Sequence, residues 1–323
     1  MIMKQSIKRT ITVAFITTLI IAIAIVIGAS YYMLGFALKP YKRSHKEAME
    51  RFFKREPSSI KSWTDSLEQY HAYIDTSITI DKRGTMHAVY VNAKTPSNKV
   101  AVLLHGYKDR AESMFHIAFL YHSMGYNVLL PNGYAHGDSD GDHIDMGWLD
   151  RHDVMRWMDI ANNKFRGDSA QTQMVIHGIS MGGFTTMCIS GEKCPPYVKC
   201  FVEDCGYTSV WDEFSDQLHT MFSLSDIPLM YTTSALCKMR YGWTFGEASA
   251  VEQLKKSTLP MLFIHGDADT FVPYRMLDEL YAAKTRGYKE KYVAPGSEHA
   301  YSYTDHTKEY TKRVKNFVNR FIK

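Results

Sequence analysis

The segment that most limits how this chain can fold runs from Met174 to Phe184. Met174-Val175-Ile176-His177 reads as a buried strand, Gly178-Ile179-Ser180-Met181-Gly182 follows at once, and small and apolar residues then continue as a helix. Strand can pass to helix in so few residues only through a sharp turn, where a side chain at the glycine positions would meet neighbouring backbone. Such a turn lifts the Ser180 hydroxyl above the strand ends and onto a helix N-terminus, whose partial positive charge favours an anion.

The rest of the chain fits a sheet around that turn. Strand candidates are 77–81, 85–92, 100–104, 127–130, 173–177, 200–203, 260–264 and 290–293, and helix candidates are 111–123, 147–164, 181–191, 273–285 and 306–321. The later strands are rich in β-branched residues without alternation, as expected when helices cover both faces of a parallel sheet. Strand and helix in this order predict an α/β class, doubly wound and mostly parallel. Residues 209–257 break the order and carry Met221, Phe222, Leu224, Ile227, Met230 and Tyr231. That apolar content predicts a small helical cap over the strand ends. No internal repeat is present.

Between Arg9 and Lys39 no residue is charged. About 20 apolar residues at ~1.5 Å each span a bilayer core, so 1–10 reads as a tail and 11–38 as one transmembrane anchor. Residues 39–75 then read as connector helices and 76–323 as the main domain. A cleaved signal peptide is the alternative, with Gly28-Ala29-Ser30 as the cleavage point, but its apolar region spans only ~7–15 residues. The expected location is a single-pass cell membrane protein with its body outside the cell, because Lys4, Lys8 and Arg9 sit on a very short tail. Lys39, Lys42, Arg43 and Lys46 flank the other end and argue for the opposite orientation.

Charge follows the same division. The net charge of +4 hides an excess of +7 in residues 1–56 and −3 in the remainder. Basic residues beside the apolar run suit phosphate headgroups, whereas a slightly acidic body excludes a nucleic-acid platform. The five cysteines match no zinc or disulfide framework, and read as small buried residues, with one bridge within the Cys194–Cys205 group left open.

A second Gly-x-Ser-x-Gly stands at Gly137-Asp138-Ser139-Asp140-Gly141. It has no strand directly before it and no helix directly after, and two aspartates would oppose an alkoxide-like nucleophile. Context therefore selects Ser180. A serine hydroxyl needs a histidine to take its proton, and the histidine needs a carboxylate to fix its tautomer. In a fold with this strand–turn–helix the chain order is Ser, acid, His. Asp269, Asp204 and Asp267 all follow strand ends; Asp269 is preferred because it precedes the helix opened by Pro273. His299 lies in a glycine-bearing loop after the last strand, and His306 is the other candidate. His105, His177 and His265 precede glycines at strand ends and read as structural. For an oxyanion hole, the N–H groups of Met181 and Tyr107 are the expected donors.

These motifs carry a resemblance. Val102-Leu103-Leu104-His105-Gly106-Tyr107, Gly147-Trp148-Leu149-Asp150-Arg151, His177 through Gly183, Glu203 through Ser209, and His265-Gly266-Asp267-Ala268-Asp269 with Val272-Pro273 resemble bacterial membrane-anchored α/β-hydrolases related to the catalytic domain of prolyl oligopeptidases. The likeness runs over roughly residues 75–320. It implies a Ser180, Asp269, His299 triad with no cofactor and no metal. Two departures stand out: no β-propeller pattern precedes the domain, and Tyr134-Ala135-His136-Gly137 lacks the arginine that relatives often carry before the histidine. The expectation is thus a serine esterase acting on a small-molecule acyl substrate. The alternatives are a peptidase or acyltransferase with the same triad, or a silent binding protein.

Overall fold

The computed structural model describes residues 2–55, 58–70 and 72–323. Met1, Glu56, Pro57 and His71, which belong to the tail and connector stretches, lie outside the described residues. The chain opens with α1 (Ile2–Leu38), α2 (His45–Arg55) and α3 (Ser58–Gln69), followed by the strands β1 (Tyr73–Ile80), β2 (Gly84–Val91) and β3 (Lys99–Leu104). Then come α4 (Phe115–Ser123), β4 (Asn127–Pro131), α5 (Asp150–Phe165), β5 (Gln173–Ile179), α6 (Met181–Ser190) and β6 (Val198–Asp204). After the cap helices α7 (Val210–Phe222), α8 (Leu229–Tyr241) and α9 (Ala250–Leu254), the fold closes with β7 (Met261–Gly266), α10 (Arg275–Ala283), β8 (Lys289–Ala294), α11 (Ser302–Asp305) and α12 (Thr307–Val318).

Among the described residues, eight strands form one mixed sheet in the order β1-β2-β4-β3-β5-β6-β7-β8. Only the β1/β2 and β2/β4 pairs are antiparallel. Side chains alternate across a strand, so Val100, Val102 and Leu104 of β3 enter one core with α5, α6 and α10. Ala101 and Leu103 enter the other, with α2, α3, α4 and α12. Helices on both faces explain why the middle strands are apolar throughout rather than at every second residue. At the edge, β1 is half exposed in alternation. It begins at Tyr73, earlier than the apolar run shows, because its first residues pair with β2 through backbone rather than through burial.

Two helix starts differ from the sequence reading by three residues or more. The helix expected from 147 begins at Asp150, because Gly147 has φ +80° and any Cβ there would lie 2.3 Å from Thr185 Oγ1. The segment expected as one helix over 111–123 is a 3-10 turn, Ala111–Met114, leading into α4. In the cap, Ser209 and Ser249 accept hydrogen bonds from the N–H groups of Asp212 and Glu252, which caps α7 and α9 at their N-termini. All five cysteines are free thiols.

The turn between β1 and β2 carries Arg83, which reaches inward to three carboxylates. It bonds Asp145 at 2.5 Å and Asp153 at 2.6 Å, lies 3.6 Å from Asp150, and stacks over the Tyr134 ring at 3.8 Å. Asp150 in turn accepts the N–H groups of Tyr134 and Gly147. This one cation holds the β4–α5 loop to the sheet edge.

From Ser6 to Leu38, α1 is long and apolar enough to cross a membrane. Residues 6–25 are exposed on every side, whereas Val26, Ser30, Leu34 and Leu38 turn one face onto the body. That face packs on α8, where the Ser30 and Thr232 hydroxyls share a hydrogen bond of 2.7 Å.

Candidate active site

The strand–turn–helix at Ser180 joins β5 to α6 in the middle of the parallel strands. Ser180 sits at φ 59°, ψ −120°, a strained conformation for a residue with a side chain. Its N–H donates to the Asp204 carbonyl at 2.8 Å, which ties the turn to β6. A Cβ at Gly178 would fall 2.0 Å from the Gly182 oxygen, and one at Gly182 would fall 2.0 Å from the Leu104 oxygen. Both glycines are required sterically, as the motif implies.

Above that turn, three side chains from distant loops meet. Ser180 Oγ lies 2.8 Å from His299 Nε2, and His299 Nδ1 lies 2.7 Å from Asp269 Oδ2. With a carboxylate at Nδ1, the imidazole carries its proton there and leaves Nε2 free to accept from the serine. Asp269 Oδ1 accepts the N–H groups of Phe271 and Val272, both at 3.0 Å. Burial alone would raise this carboxyl, but bonds from His265 and His299 outweigh it and hold it down at about 2. Asp269 is therefore ionised throughout the neutral range.

The other candidates hold the loops in place. Asp267 accepts the N–H of Gly296, and His306 Nε2 meets the Pro295 carbonyl at 2.8 Å, so both brace the loop that carries His299. Asp204 accepts the hydroxyls of Ser302 and Tyr310 just beyond it. His177 lies between Tyr121 and Tyr310, and His105 faces the Gly133 N–H. Ser139 of the second motif is buried, donating to the Asn132 carbonyl and accepting the His87 N–H, which leaves it no role in a cleft. His265, read as structural, comes within 3.2 Å of Asp269 Oδ2; its spacing four residues before the acid was the available signal.

The segments expected to carry the oxyanion donors lie beside Ser180. Met181 opens α6 directly after Ser180, and Gly106, which precedes Tyr107, lies against Ser180 so closely that a Cβ there would be 3.6 Å from Ser180 Cβ. The Tyr107 hydroxyl is committed elsewhere, donating to the Ala37 carbonyl at the end of α1. Cys205, Asp269 and His299 offer three atoms within 4.8 Å, the one such ligand group among the described residues. A soft metal needs the thiolate, however, and burial pushes the Cys205 thiol well up, while both ring nitrogens of His299 already face partners.

Ser180 lies at the wall of an apolar cavity of about 210 Å³, which Tyr107, Tyr207, Phe214, Met230 and Phe245 also line. Glu213 enters the same cavity, and sequence reasoning gave no sign of it. One of its oxygens accepts from Gln217, while Oε2 has no partner among the described residues. Burial, aided by Asp216, pushes its carboxyl up to about 8, so it is a neutral acid at pH 7. An acid whose folded pKa is raised favours folding most below its unfolded pKa of ~4.3, and that advantage is lost as pH rises toward 8. Glu213→Gln is accordingly expected to match wild-type stability near pH 4.5. It should gain up to about 1.4 kcal/mol per pH unit toward pH 8, read by thermal melts of both proteins across that range.

The chain is similar to YqkD of Bacillus subtilis strain 168, an uncharacterized protein, at 26% identity over 97% of each chain. The fold matches the Pyrococcus furiosus esterase Pf2001 with a TM-score of 0.67 at 18% identity, covering 89% of this chain and 99% of that one. It also matches the Pyrococcus horikoshii acylaminoacyl peptidase with a TM-score of 0.58 at 18% identity, covering 78% of this chain and 42% of that longer one. Residues 112–323 match the prolyl oligopeptidase family model. On that match over most of its body, and with an α/β-hydrolase fold, this chain belongs to the prolyl oligopeptidase family, hydrolases of esterase or peptidase type.

Proposed function

We propose that the protein is a serine hydrolase that cleaves a carboxylic ester through an acyl-enzyme, held at a membrane by α1. The observation that carries this reading is the unbroken relay from Asp269 through His299 to Ser180 at the wall of an apolar cavity. Ser180 Oγ bonds to the acyl carbon while its proton passes to His299 Nε2, and the N–H groups of Tyr107 and Met181 receive the oxyanion. The carbon–oxygen bond to the alcohol then breaks, and the alcohol leaves with the proton from His299. Water attacks the acyl carbon, gives a proton to Nε2, and the carboxylic acid departs as Ser180 regains it. Asp269 stabilises the imidazolium that forms at each step.

An ester is favoured over a peptide because the cavity wall offers few groups to pair with a peptide backbone, and unpaired amides are costly to bury. The likeness to an acylaminoacyl peptidase supports the second reading, a peptidase with the same relay. Fluorophosphonate labelling of the full chain tests the serine: wild type is expected to label and Ser180→Ala is not. An unlabelled wild type would refute the assignment. Turnover of p-nitrophenyl esters against acyl-peptide anilides then decides between ester and peptide, and faster anilide cleavage would reverse our preference.

A further inference from the structure

The membrane-type helix does more than precede the domain. Met33, Phe36 and Ala37, all in its last two turns, line the cavity that contains Ser180. The Tyr107 hydroxyl bonds the Ala37 carbonyl, and the Ile144 N–H donates to the Leu38 carbonyl at 2.8 Å, so these turns are fixed to the loops around the nucleophile. The Phe36 ring meets Phe222 of α7 edge-on at 5.6 Å. One wall of the cavity is thus the helix and the facing wall is the cap.

Depth follows from length. Arg9 is the last charge before Lys39, and about 20 residues span a hydrocarbon core. The apolar stretch therefore leaves the hydrocarbon near Ser30. Tyr31 and Tyr32, both largely exposed, follow at the level where tyrosines concentrate in membrane interfaces. Phe36 lies six residues beyond Ser30, about 9 Å along the helix at ~1.5 Å per residue. At this same level the cap exposes apolar residues that a water-facing surface would not favour. Ile227 is 72% exposed and Tyr231 58%, five residues and one residue before the Thr232 that bonds Ser30, and Met221, which lines the cavity, is 55% exposed. Large exposed apolar side chains near the docked end of a membrane-type helix suit contact with a membrane.

We infer that the substrate is a membrane-borne acyl ester, a long acyl chain on a polar headgroup, whose chain slides from the bilayer between α1 and the cap into the cavity at Ser180. The inference rests on the serine hydrolase reading above and adds the substrate class and the route. Hydrolysis of such an ester releases a fatty acid, which can return along the same apolar path, and an alcohol headgroup, which leaves to water. An apolar chain is recognised here by burial alone, so rate should climb with chain length.

The test uses the full chain in phosphatidylcholine vesicles, comparing p-nitrophenyl dodecanoate with p-nitrophenyl butyrate. Wild type is expected to prefer the longer ester by at least tenfold in kcat/KM. Met33→Trp, which fills the helix side of the cavity, is expected to reduce that preference at least tenfold, and Phe36→Trp at the rim should shift it in the same direction. Fluorophosphonate labelling of each variant reports that the site is still folded. Fatty acid release from embedded monoacylglycerol, against release from the phosphatidylcholine itself, separates a neutral headgroup from a phosphate-bearing one. A labelled, butyrate-active enzyme with no chain-length preference, or with a preference that neither tryptophan changes, overturns the inference and leaves the hydrolase reading standing. A wild type that neither labels nor cleaves any ester overturns both.

Discussion

Ser180→Ala and His299→Ala are each expected to lower kcat for ester hydrolysis by roughly 10⁶-fold, and the double variant should be no slower than either. The non-additivity is the informative part. The serine is a nucleophile only while Nε2, 2.8 Å away, can take its proton. Removing either partner therefore abolishes the same step, and a second removal has nothing left to take away. Asp269→Asn should cost less, on the order of 10⁴-fold, because it leaves both reacting groups but lets the imidazole adopt the wrong tautomer. Losses that simply multiply in the double variant would show two independent groups rather than one relay. Full activity in Ser180→Ala would remove the mechanism altogether.

The largest expected effect on stability is at Arg83. Removing this guanidinium leaves Asp145, Asp150 and Asp153 buried around a vacated position. Breaking a buried pair by deleting one partner costs about 3–5 kcal/mol, because the remaining charge is uncompensated. Asp150 already shows the stress: burial and the nearby Asp145 raise its carboxyl to about 7 even with the arginine in place. Arg83→Met should lower the melting temperature of the full chain by several degrees, and more at pH 8 than at pH 5, where Asp150 and Asp153, both raised by burial, can take up protons. Replacing Asp145 and Asp153 by asparagine in the same background should recover much of the loss. An Arg83→Met protein as stable as wild type at pH 8 would mean that the network contributes nothing.

Much of the molecule can be read from its residues. The strands show because each central one is a short apolar run bounded by polar turns, and burial on both faces demands just that. Ser180 stands out because the turn admits only glycine two residues to either side of it, at Gly178 and Gly182, and the strand order limits which loops can meet it. The acid was harder: Asp204, Asp267 and Asp269 all end strands, and only the loops they brace separate them in space. Arg83 could not be foreseen. Asp81-Lys82-Arg83-Gly84 reads as a solvated turn, and its partners lie 62 and 70 residues further along the chain. The docking of α1 was equally hidden, since an apolar residue facing lipid and one facing protein look the same. Ser30 meets the cap through Thr232, but Thr12, Thr17 and Thr18 are hydroxyls in the same apolar run and stay exposed, so a hydroxyl alone does not mark the docked side.

The hydrogen bond between Tyr107 and the Ala37 carbonyl has a practical corollary. A shortened form beginning at Lys39 would lose the residue that holds this tyrosine and three side chains that close the cavity. Water would reach Ser180 from the side, and the loop of Tyr107 would lose a tether. Kinetics from such a form would describe an open, less selective pocket, so the full chain with α1 is the form in which to measure specificity.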